Sequence, residues 1–205
     1  MILLIDNTKN LTKAYMTPRI INILQKQNIK YIIISNVEEL NNIILNKKEI
    51  IKGIILSGGP LCLSEELSIK SINKNIIALL NFSDIPILGI CFGFQIMAAS
   101  YGGLIEPMDI PEEGIYSINI DNSNPLFYGL NNTINVFQSH NDKLVKIPPL
   151  FNVISISKIL LKNQNIIQGI YSKEKKRYGV QFHPEGLEET KIIINNFIHI
   201  CYKLQ

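Results

Sequence analysis

Two stretches of this chain hold residue types that together can break an acyl bond. The first is Gly89-Ile90-Cys91-Phe92-Gly93, a cysteine between two glycines. It follows the apolar run PILGI and precedes FGFQIMAASYGG, a helical pattern that ends at glycines. A nucleophile held on a sharp strand-to-helix turn needs small residues two before and two after it, so that strand and helix can approach closely. Such a turn also places the thiol at a helix N-terminus, where the dipole favours thiolate. A buried structural cysteine is the commoner fate of this residue type. Flanking glycines at a strand–helix junction argue against that fate here.

The second stretch is YGVQFHPEG, residues 178–186. Pro184 biases His183 toward extended backbone. Side chains two apart on an extended segment point the same way, so Glu185 neighbours His183. That is the nucleophile, base and orienting carboxylate of covalent acyl transfer, in Cys91, His183 and Glu185. A lone histidine at a strand end is ordinarily a satisfied surface residue. The Pro-Glu that follows it, in a chain with a cysteine turn, shifts the reading to catalysis. An oxyanion hole needs two preorganised donors. The backbone N–H of Phe92 is one, and LSGGP at 56–60 offers Gly59 as the second. Gly-Gly-Pro alone is only a turn signal. Its weight comes from following a strand, where open α/β sheets place ligands.

The elements that must position these groups are legible as alternation. Apolar runs at 2–6, 31–35, 53–57 and 86–90 read as buried parallel strands. Helical patterns fall at 17–28, 38–48 and 65–81, between the strands. The first opens with Thr17 as N-cap and Pro18 at the first helical position, and the third with Glu65 and Glu66 in its first turn. Strand-like pieces at 115–120, 133–138, 152–157, 166–171 and 178–182, broken by turn residues, predict added antiparallel strands. A closing helix over 188–203 carries Ile194, Phe197, Ile198 and Cys201 on one face, which makes Cys201 a core residue and leaves His199 at the surface. The expected fold is α/β: a flavodoxin-like, doubly wound, mostly parallel sheet with added antiparallel strands, in a single domain over 1–205.

The 205 residues carry 46% hydrophobic and 18% charged side chains, ordinary for a globular chain, and a net charge of +3. That is short of a nucleic-acid footprint, which needs clustered Lys and Arg. The densest basic stretch, Lys173 to Arg177, contains an acid and reads as a solvated turn. No stretch reaches membrane-spanning length, and MILLIDN lacks a basic leader. Three cysteines, 62, 91 and 201, form no CxxC, which fits a reducing, cytoplasmic setting. There is no Walker loop and no Gly-x-Gly, and the three histidines have no metal-ligand spacing. No cofactor or metal is expected.

SGGP, GICFGFQ and QFHPE, in this order, resemble the class I (triad-type) glutamine amidotransferase family, over essentially the whole chain. The resemblance implies that Cys91 attacks the side-chain amide of L-glutamine, that His183 passes a proton to the leaving ammonia, and that Glu185 orients His183. It implies further that Gln95 holds the substrate. Gly59 and Pro60 match the loop beside the oxyanion. Ser139 and His140 match the segment whose backbone grips the substrate's α-amino and carboxylate groups. Such domains supply ammonia to an ATP-dependent synthetase. FQSHNDKLVKIP (137–148), GIYSINI and NPLFYGL are similar to the glutaminase part of GMP synthetases, and the length to its separate archaeal subunit.

Two other branches stay open. Anthranilate and aminodeoxychorismate synthase subunits share an LLIDN-like start but carry His-Ser-Leu where this chain has Ser139-His140-Asn141. γ-Glutamyl hydrolases of this fold use water and no partner. A binding module without catalysis is disfavoured by the complete Cys91, His183 and Glu185 set. Asp142 reads equally as a coupling residue toward a synthetase and as a turn cap. Leu61 and Cys62 depart from the family pattern; Cys62 is a passive substitute for serine or a redox-active neighbour.

Overall fold

The computed structural model describes residues 1–8, 16–65, 69–161 and 164–203. Five short strands form its parallel half: β1 (Ile2–Ile5), β2 (Tyr31–Ile34), β3 (Gly53–Leu56), β4 (Ile87–Ile90) and β9 (Arg177–Val180), in the order β2-β1-β3-β4-β9. Successive side chains of a strand point to opposite faces. Ile2, Leu4, Ile55, Leu88 and Ile90 therefore face α1 (Thr17–Lys26) and α5 (Lys191–Lys203). Leu3, Ile5, Ile54, Leu56 and Ile87 face α2 (Val37–Lys47), α3 (Ile69–Asn81) and α4 (Phe92–Ser100). Both faces are covered, which is why these strands are continuously apolar in sequence.

The second half is antiparallel. β5 (Leu104–Ile120) and β6 (Thr133–Lys146) form a long ribbon, and β7 (Asn152–Leu161) and β8 (Gln164–Ser172) form another. β5 also pairs with β7, and β6 with β8, so these four strands close on one another. β8 pairs with β9 and joins the closed unit to the parallel strands. The β5–β6 register shifts between Pro107 and Glu112.

Several expected boundaries move. β5 and β6 run far beyond 115–120 and 133–138, because Glu106, Pro107, Asp109 and Pro111 hide the strand pattern that Leu104 would otherwise begin. Thr17 is not an N-cap: the cap position is Met16, and the Thr17 hydroxyl instead donates to Asp6 Oδ1 at 3.0 Å. The third helix begins at Ile69, with Glu65 in the preceding turn; Glu66 lies outside the described residues. The last helix begins at Lys191, after turns at 188–190. Arg177 does not belong to a solvated turn. It is buried in β9, where its guanidinium donates to the carbonyls of Leu79, Phe82 and Ile85. Cys201 is in the core and His199 is exposed, as the helical stripe predicts.

Candidate active site

The strand β4 ends at Ile90 and α4 begins at Phe92, so Cys91 is the whole turn. Its backbone sits at φ 49° and ψ −107°, a conformation that L-residues rarely adopt and that active sites retain. Two contacts hold it there. The Cys91 N–H donates to Val180 O of β9 at 2.9 Å, and Cys91 O accepts from Gln95 N at 3.0 Å. The flanking glycines are required by space. A Cβ on Gly89 would lie 2.7 Å from Gly93 O and 2.8 Å from the Phe94 backbone. A Cβ on Gly93 would lie 2.7 Å from Leu56 Cβ and strike the Leu56 carbonyl. The helix therefore rests directly on strand backbone. Phe92, its first residue, has an N–H with no intrahelical acceptor.

His183 follows β9 and makes an isolated bridge to Phe137 of β6, donating its N–H to Phe137 O at 2.9 Å. The residue is 5% exposed and Glu185 is fully buried. His183 Nδ1 and Glu185 Oε1 are 2.9 Å apart. Burial opposes a charged imidazole, but the charges of Cys91 and Glu185 outweigh it and hold the His183 pKa well above the usual 6.5. The imidazole thus favours its protonated form between two acids.

In front of Cys91 lies a cleft of about 150 Å³ whose lining includes Gly59, Pro60, Cys91, Gln95, Ser139 and His140. Every substrate-binding residue expected from the sequence is in this one cleft. Cys91 Sγ lies 3.7 Å from Ser139 O. Gln95 Nε2 donates to Gln181 Oε1 at 3.2 Å, which leaves the Gln95 side-chain carbonyl oxygen available as an acceptor. The His140 side chain has other partners: its Nδ1 meets Asp142 O at 2.9 Å, and its Nε2 meets Glu112 Oε2 at 3.0 Å and Gln138 Oε1 at 3.1 Å. Its contribution to the cleft is therefore its placement on β6. Among the described residues no group of three His, Cys, Asp or Glu side chains is arranged to hold a metal ion.

Residues 3–200 match the model for glutamine amidotransferase class-I. The chain belongs to that family. Among curated relatives of this amidotransferase, a glutamine-hydrolysing GMP synthase subunit of Methanocaldococcus jannaschii is 35% identical, over 87% of this chain and 92% of the relative. The glutamine-hydrolysing GMP synthase of Petrotoga mobilis is 38% identical over 74% of this chain, which spans only 28% of that longer protein. The crystal structure of a proposed GMP synthase subunit from Thermoplasma acidophilum superposes with a TM-score of 0.82 at 28% identity, over 99% of this chain and 94% of that one. The fold is that of class I glutamine amidotransferases, with α/β content.

Three residues of the amidotransferase site escape a reading of the sequence. A Cβ on Gly58 would lie 2.7 Å from His183 Cε1, so it is Gly58 that makes room for the imidazole. Gln181 holds the Gln95 amide. Ser64 donates through its backbone N–H and hydroxyl to Asp142, at 2.9 and 2.6 Å. Asp142 is therefore neither a local turn cap nor a free surface carboxylate; it ties the loop at 60–65 to β6. Gly58 and Gln181 sit inside the quoted motifs, next to residues with evident chemistry. Nothing local marks Ser64.

Proposed function

We propose that this chain is a glutaminase that hydrolyses L-glutamine and delivers the ammonia to a separate ATP-dependent synthetase of the GMP synthase type. The observation that carries the chemistry is the buried His183, paired with Glu185 at 2.9 Å and held toward its charged form by Cys91 and Glu185. The Cys91 thiolate adds to the carboxamide carbon of glutamine. The oxyanion is met by the N–H groups of Phe92 and Gly59. His183 gives its proton to the nitrogen as the C–N bond breaks, releasing ammonia and leaving a γ-glutamyl thioester. Water then adds to the thioester as His183 takes its proton, and glutamate leaves as the Cys91 sulfur departs. Glu185 holds the imidazole in register throughout. Gln95 and Pro60 line the substrate, and the backbone at Ser139 and His140 grips its α-amino and carboxylate groups.

The pathway rests on the archaeal GMP synthase relatives, which match this chain over nearly their whole length. We place the protein in the cytoplasm, as one domain over 1–205. Its parallel order β2-β1-β3-β4-β9 is the ordering of flavodoxin-like doubly wound sheets.

Ammonia release from glutamine tests this, first with the chain alone and then with the synthetase component of a GMP synthase, ATP and XMP. Stimulation by the synthetase, lost in Cys91→Ala, is the expected result. Release by Cys91→Ala at the wild-type rate would overturn the chemistry. Brisk release that the synthetase does not change would overturn the partnership and favour a partner-free hydrolase.

A further inference from the structure

The loop after β3 runs Ser57-Gly58-Gly59-Pro60, and its geometry decides where the Gly59 N–H points. A peptide plane between two glycines is the least constrained kind in a chain, since neither flanking residue has a Cβ to limit its rotation. In a trans peptide the C=O of Gly58 and the N–H of Gly59 point in opposite directions. Whatever holds the Gly58 oxygen therefore aims the Gly59 N–H.

The Ser57 hydroxyl holds it, donating to Gly58 O at 2.8 Å. That hydroxyl is itself fixed, because Ser57 Oγ accepts from Asn7 N at 2.9 Å. The Asn7 side chain adds a second tie, with Nδ2 donating to Ser57 O at 2.7 Å. Asn75 of α3 closes the set. Its Nδ2 donates to Asn7 Oδ1 at 2.8 Å, and its Oδ1 accepts from Asn7 Nδ2 at 3.2 Å. Ser57, Asn7 and Asn75 are all buried. Gly59 itself lies against this group, since a Cβ there would sit 2.8 Å from Asn7 O. The β3 loop is thus stitched to the end of β1 and, through Asn7, to α3.

We infer that Ser57, locked by Asn7 and Asn75, is a positioning residue for catalysis: its hydroxyl pins the Gly58–Gly59 peptide plane and so aims the Gly59 N–H at the developing oxyanion. This rests on the proposed role of Gly59 as an oxyanion donor. It assigns Ser57 an effect on the transition state that it never touches.

The test separates acyl chemistry from thiol reactivity. Alkylation of Cys91 by iodoacetamide is a displacement at carbon that forms no tetrahedral oxyanion, so it reads Cys91 and His183 alone. In Ser57→Ala, kcat for glutamine hydrolysis is expected to fall about 10- to 100-fold, with KM and the iodoacetamide rate within about threefold of wild type. An unchanged kcat overturns the inference. So does a parallel fall in hydrolysis and alkylation, which would mean that the serine supports the whole site and not the donor. If Ser57→Ala does not fold, Asn7→Asp, which keeps the shape but loses the tie to Ser57 O, is expected to show the same split at smaller size. Cys91→Ala distinguishes the failures. If that variant is inactive while Ser57→Ala is normal, only the inference on Ser57 falls; if it is active, the glutaminase reading falls as well.

Discussion

Cys91 is held at positive φ by its neighbours, and such conformations cost on the order of 1–3 kcal/mol each. The rest of the core must supply that energy. His183 is the other residue whose state is set by its surroundings. Its pKa is raised in the fold, with Glu185 one of the two charges responsible. A raised histidine pKa contributes stability that is fully present below the unfolded value, about 6.5. That stability is lost as pH rises through the folded value. Glu185→Gln removes part of the cause. The melting temperature of wild type should therefore exceed that of Glu185→Gln most near pH 5–6, with the gap narrowing as pH climbs toward 9. Melting curves of both proteins across that range check it; a gap that widens with pH would mean that Glu185 does not hold the imidazole charged. Cys91, His183 and Glu185 were legible in the sequence because each lies in a motif a few residues long. Ser57, Asn7 and Asn75 were not, because their partners are 50 and 68 positions apart in the chain.

The turn at Cys91 works only because α4 lies directly on the ends of β3 and β4. From the sequence alone, a valine at Gly93 is expected to harm catalysis more than folding. The structure changes that balance, since the first added carbon meets the Leu56 backbone inside the core. Gly93→Val should lose on the order of 1–3 kcal/mol or more of stability, the usual cost of overpacking, together with activity. Denaturant unfolding beside a glutaminase assay checks this; unchanged stability with activity abolished would restore the simpler expectation. The parallel strands and the helices between them were legible because full burial leaves unbroken apolar runs. The extents of β5 and β6 were not. Apolar Leu104, Ile110 and Ile115 are exposed while Glu112, His140 and Asp142 are buried, and the prolines at 107 and 111 fall where the register shifts, so the pattern breaks while the ribbon continues.

The molecule has two halves, and the cleft lies where they meet. The parallel half supplies Cys91, Gln95 and the 57–60 loop, and the antiparallel half supplies Ser139 and His140. Across the cleft, Asp142 of β6 accepts two hydrogen bonds from Ser64. Hydrogen bonds to a charged group contribute roughly 1.5–3 kcal/mol each when buried. Asp142→Ala should let the 60–65 loop drift from β6 and raise KM for glutamine about fivefold or more, on the order of 1 kcal/mol of ground-state binding, with kcat much less affected. Steady-state kinetics at saturating partner measure it, and a loss confined to kcat would place Asp142 in the chemistry instead. The bridge between Phe137 and His183 adds a last consequence. Ser139, two residues along β6, presents its carbonyl to Cys91. One strand therefore carries both the backbone partner of His183 and the carbonyl that meets Cys91, so that on the proposed roles the proton carrier and the substrate grip share it, like two cams on one shaft. Under the proposed function, a partner that shifted β6 would change the timing of both together, and substrate capture and ammonia release would be geared to each other.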